Sequence, residues 1–121
     1  MKLIGSLMEK SFRDELSKSW VGIKKPGNKL FPVLKNGIGS IRSAFVLSFT
    51  PEQDEDICTI LVNGSVVVML EIVRSSSELV SWQEIDIKDY KKQSRSRQQQ
   101  VQLLVALDLA SSEENEMPSC P

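Results

Sequence analysis

The sequence predicts an α+β domain: a small, mainly antiparallel β-sheet or barrel with a central hairpin over residues 57–73, an N-terminal helix and a C-terminal helix. Three observations predict it. Two apolar, β-branched runs flank the pair Asn63-Gly64. That pair is the strongest short-range hairpin signal, because a tight I′ turn needs positive φ at both central residues. Apolar residues recur at helical spacing from Leu3 to Trp20, the pattern of one buried stripe. The stretch from Asp89 to Ala110 has no Gly or Pro and is rich in helix formers,.

In chain order, Leu3, Ile4, Leu7, Met8, Phe12 and Leu16 fall on one side of the first helix. Glu9 and Arg13, and Asp14 and Lys18, stand four apart as acid-to-base pairs, each worth a few tenths of a kcal/mol. Val21 to Gly39 reads as a Gly/Pro-rich connector in which Leu30, Phe31, Val33 and Leu34 form at most an edge strand, since Pro32 cannot donate to a ladder,. Ile41 to Phe49 reads as a strand ended by Thr50-Pro51, followed by an acidic loop with Glu52, Asp54, Glu55 and Asp56.

With Asn63 and Gly64 as a two-residue turn, Val62 faces Ser65, Leu61 faces Val66, Ile60 faces Val67 and Cys58 faces Met69. Both faces of the hairpin are then apolar, so both should be covered. Asn63-Gly64-Ser65 also fits a glycan acceptor; with no export signal, the turn is the better reading. Arg74 to Ser77 is a polar turn, and Leu79 to Ile87 a further strand whose Trp82 serves as a core anchor or a recognition residue,. Residues 98–110 read as helix, although Val101, Leu103, Val105, Leu107 and Leu109 alternate as a strand would,. Five or so strands are expected, an order that resembles a pleckstrin-like barrel closed by a C-terminal helix. Residues 1–110 form the single domain, and 111–121 a disordered acidic tail.

Composition removes several functions. The 121 residues include no histidine, which takes away the commonest general base and most transition-metal sites. Cys58 lies mid-strand as a small buried hydrophobe, and Cys120 lies in the tail,. They are not read as a disulfide, and an intracellular setting, cytoplasm or nucleus, is the simpler one. No apolar run reaches the eighteen or so residues of a membrane span. Met1 to Met8 is too short and too broken by Gly5 and Ser6 for a signal peptide.

Leu104 to Ser112 resembles, over under a tenth of the chain, the first strand of a von Willebrand A domain. In that family an Asp-x-Ser-x-Ser run holds a divalent cation. Asp108 and Ser112 match, whereas Ala110 replaces the middle hydroxyl residue and the remaining loops of such a site are missing. No metal or cofactor is assigned.

Charge is divided. Net charge is −1, yet residues 1–50 carry +6 and residues 51–121 carry −7. The expected function is a non-catalytic protein-interaction domain, a small subunit or adaptor of a complex. Its partner, or a second copy, would dock on the apolar C-terminal segment through Leu103, Leu104 and Leu107. The alternative is a nucleic-acid-binding module. It would use Lys24, Lys25, Lys29 and Lys35 in one basic stretch, and Lys91, Lys92, Arg95 and Arg97 in another,.

Overall fold

The computed structural model describes Leu3, residues 5–93 and residues 95–116, the last four by backbone alone. Eight elements follow in order: α1 (Leu7–Lys24), α2 (Leu30–Ile38), β1 (Ala44–Pro51), β2 (Glu55–Val62), β3 (Val66–Val73), β4 (Leu79–Asp86), α3 (Ile87–Lys92) and α4 (Arg97–Glu116). The strands form one antiparallel sheet in the order β1-β2-β3-β4. The α+β class, the hairpin and both terminal helices are as the sequence predicts. The sheet has four strands among the described residues rather than five. It is open rather than closed into a barrel, with β1 and β4 at its two ends.

The first helix starts at Leu7 because Ser6 and Glu9 cap it. The Glu9 N–H donates to Ser6 Oγ at 3.2 Å, and the Glu9 carboxylate accepts from the Gly5 N–H and the Ser6 hydroxyl. This reciprocal arrangement satisfies donors that have no partner inside the helix. The helix ends at Lys24, since Lys25 precedes Pro26 and is held extended,. Leu16, Trp20 and Ile23 form its buried stripe. Asp14 and Lys18 pair at 3.0 Å as expected, and Arg13 reaches Asp108 of α4 at 2.9 Å.

The connector after α1 is a helix, α2, and not an edge strand. Asn28 Oδ1 accepts from the Leu30 N–H at 2.8 Å, which starts the turn. Pro32 then falls in the first turn, where an N–H has no intrahelical acceptor to lose. Leu34 is fully buried, and Gly39, at φ +102°, ends the helix.

The hairpin turn has the predicted chemistry but not the predicted register. Asn63 and Gly64 both have positive φ, and the Ser65 N–H donates to Val62 O at 3.1 Å. Yet Val62 lies opposite Val66, Leu61 opposite Val67, Ile60 opposite Val68 and Cys58 opposite Leu70. Ser65 is one extra residue outside the ladder, because its carbonyl accepts from the Ile87 N–H beyond β4. A one-residue shift moves every β3 side chain to the other face. Cys58, Ile60, Val62, Val68, Leu70 and Ile72 therefore share one buried face, and Leu61 and Val67 are buried on the other with Phe45.

Asn63 also ties the α2–β1 linker to the turn. Its Oδ1 accepts from the Arg42 and Ser43 N–H groups, and its Nδ2 donates to Ser40 O. Of the expected acidic loop, Glu55 and Asp56 instead begin β2; Asp54 accepts from the Ser75 N–H and hydroxyl, and Asp56 pairs with Arg74 at 2.8 Å.

Residues 98–110 are helical, so the strand alternative and the von Willebrand A strand both fall away. Their alternation has a helical cause: α4 is covered on two sides, by α1 and by the sheet, which buries Val101, Leu103, Val105, Ala106 and Ala110. The helix continues through Glu116, past the expected start of the tail at Ser111. Cys120 and the rest of 117–121 lie outside the described residues.

Candidate interaction surfaces

Helix α4 presents the first surface. Leu104 and Leu107 remain half-buried on its outer side, and a groove of about 270 Å³ runs beside them. Lys91, Gln93, Arg95 and Gln100 border it, with Leu103 at its base. Leu103 differs from the expectation. It is 6% exposed and belongs to the core, because the arc of α4 that carries it packs inward beside Leu47. Of the three predicted interface leucines, Leu104 and Leu107 reach the outer surface.

Arg95 is held in place by its neighbours. Its guanidinium lies 3.7 Å from the centroid of the Tyr90 ring, and Nη1 donates to Gln93 O at 2.9 Å. Its Nη2 is buried, with no hydrogen-bond partner among the described residues. A stacked, pre-oriented guanidinium suits a carboxylate. α3 supplies this geometry. Asp86 caps it by accepting from the Lys88 N–H at 2.8 Å, so the chain turns at the end of β4 and brings Tyr90 under Arg95.

The predicted basic stretches are not brought together as one surface. Lys24 sits 4.8 Å over the Trp20 ring, and Lys29 Nζ donates to Arg74 O at 2.9 Å. Lys25 and Lys35 are exposed at the end of α1 and on α2. Lys29 borders a small recess with Cys58 and Ile72, on the sheet face that α2 covers. Lys91 and Arg95 border the α4 groove, while Lys92 and Arg97 are exposed on α3 and at the start of α4.

A second surface, absent from the predicted sites, lies at β4. Trp82 is half-buried, and its Nε1–H donates to Glu84 Oε2 at 2.8 Å. Its ring lies so close over Gly37 of α2 that a Cβ there would strike it. Val33, Asn36, Gly37, Leu79 and Trp82 line an open groove of about 330 Å³. The available sequence signal was Trp82 in a strand together with Gly37, but only α2 brings the two together.

The cysteine in the core is not an activated nucleophile. Burial beneath α2, and then the charge of Asp56, push the Cys58 thiol up to about 11, the reverse of what a reactive thiolate needs. Among the described residues no helix is long and apolar enough to cross a membrane. No family model, no curated protein and no solved structure matches this chain.

Proposed function

We propose that this chain is a non-catalytic protein-interaction domain, a small subunit or adaptor of an intracellular complex, and that the outer face of α4 is a docking surface. The observation that carries the reading is the groove at Leu104 and Leu107 with Lys91 and Arg95 on its rim. An apolar floor within a polar border is the composition of a protein interface. Arg is among the residues that most often dominate binding energy. The rim favours a partner that brings an apolar side chain with a carboxylate beside it. The raised Cys58 thiol also favours binding over chemistry.

A photo-crosslinking residue in place of Leu104 tests this in cells. The expected result is a discrete protein adduct that weakens when Leu107→Glu is added, with no such adduct from the same residue in place of Lys18, which is exposed on α1. Adducts to nucleic acid, or an adduct pattern identical at the two positions, would overturn the reading and favour the basic stretches as nucleic-acid contacts.

A further inference from the structure

The free edge of the sheet extends this reading. The Ile87 N–H donates to Ser65 O at 3.0 Å, and the same register places Asp86 opposite Val66, Glu84 opposite Val68 and Trp82 opposite Leu70. Hydrogen-bonded and non-bonded pairs alternate along an antiparallel ladder. Ile85 and Gln83 therefore exchange bonds with β3, and Trp82, Glu84 and Asp86 turn their main-chain groups away from it. Among the described residues no strand lies beyond β4. Such an edge is a template for another strand unless charged side chains, proline, a bulge or a covering element blunts it, and the one bulge here lies near Val80, before the outward-facing Trp82 and Glu84. Residues 78–86 contain neither lysine nor arginine nor proline, and they carry the carboxylates of Glu78, Glu84 and Asp86. The groove between Trp82 and α2 opens beside this edge.

We propose that β4 takes up an extended segment of a partner protein as a fifth strand, with an apolar side chain of that segment in the Trp82–Val33 groove and Lys or Arg residues on either side of it. Main-chain bonds to Trp82 and Glu84 supply affinity, and the groove and the carboxylates supply selectivity. A second copy fits less well, because its own β4 presents the same three carboxylates and no cation. The inference rests on the protein-interaction reading above but uses a different surface.

The test pans the full chain against a phage-displayed library of random nine-residue peptides. The best peptide is then measured by fluorescence anisotropy with wild type, Glu84→Pro, Glu84→Lys and Leu104→Glu. Proline at position 84 removes an outward N–H and leaves the β3 ladder intact; lysine keeps the backbone and reverses the charge. The recovered peptides should carry Lys or Arg on both sides of an apolar residue. Binding should fall about tenfold or more in both Glu84 variants, weaken with salt and remain unchanged in Leu104→Glu. No binder, binders without cations, or binders indifferent to both Glu84 variants would overturn the proposal. Loss in Leu104→Glu alone would remove the β4 site and leave the α4 reading standing. A dimer of the chain that Glu84→Lys dissolves would also overturn it, in favour of a second copy.

Discussion

The two edges of this sheet are treated in opposite ways. β1 is sealed. A register shift between Val46 and Ser48 twists it, the Val46 N–H donates to Ser19 Oγ of α1, and Leu47 O accepts from Gln102 Nε2 of α4. Two helices thus provide the partners that a neighbouring strand would have provided, and Pro51 closes the strand's far end. β4 has one irregularity near Val80 and, among the described residues, no comparable cover from Ser81 to Asp86. Sheet edges left bare invite pairing. The difference teaches that α1 and α4 protect one end of the sheet and leave the other end and the outer side of α4 uncovered among the described residues, the two surfaces on which the proposals rest.

The largest effect should come from α4, where adjacent leucines face opposite ways. Leu103→Glu places a charge in the core beside Leu47 and should cost about 4 kcal/mol or more, enough to unfold a marginal domain. Leu104→Glu should stay within about 1 kcal/mol. Urea denaturation measures both. Equal losses would mean that α4 does not seal β1 in the manner described.

Proline should next separate the two edges. Val46→Pro removes the donor to Ser19 and should cost about 3 kcal/mol, whereas Glu84→Pro should cost about 1 kcal/mol or less. Similar melting temperatures for the two variants would break the comparison.

Alkaline pH examines the face that carries Cys58, the cross-strand partner of Phe49. With the Cys58 thiol at about 11 in the folded protein against 9.0 for a free thiol, the unfolded chain loses its proton first. Stability should therefore hold below about pH 9 and fall by roughly 2 kcal/mol as pH rises to about 11. Cys58→Val should lose this component of the pH dependence. A slope unchanged by the substitution would show that the thiol is not shielded.

The smallest effect belongs to Ser19→Ala, which leaves the Val46 N–H without its acceptor. It should cost about 1 kcal/mol by the same denaturation measurement.

What the sequence made legible was local. Asn63-Gly64 marked the turn, the apolar stripe marked α1, and the absence of Gly and Pro marked α4. What it concealed depended on distant partners. The Asn28 side chain and Pro32 start α2, but Gly37 and Gly39 suggested a connector. The Ser65 carbonyl turns to Ile87, more than twenty residues on, so turn residues alone could not fix the register. Leu103 seemed free because nothing local showed that α4 is flanked by α1 as well as the sheet; the Arg13–Asp108 pair links those two helices across most of the chain. For the candidate site, Leu104, Leu107, Lys91 and Arg95 were legible by type, and their grouping was not. Trp82 was noticed, but its groove requires a helix that local signals did not predict.

Residue-resolved amide hydrogen exchange by NMR tests the contrast between the edges most directly. The Val46 amide should exchange slowly, near the rate set by global unfolding, while the Trp82 and Glu84 amides should exchange about a hundredfold faster or more in the free protein. Equal protection of Val46, Trp82 and Glu84 in dilute, monomeric protein would mean that β4 is already covered and would contradict the account.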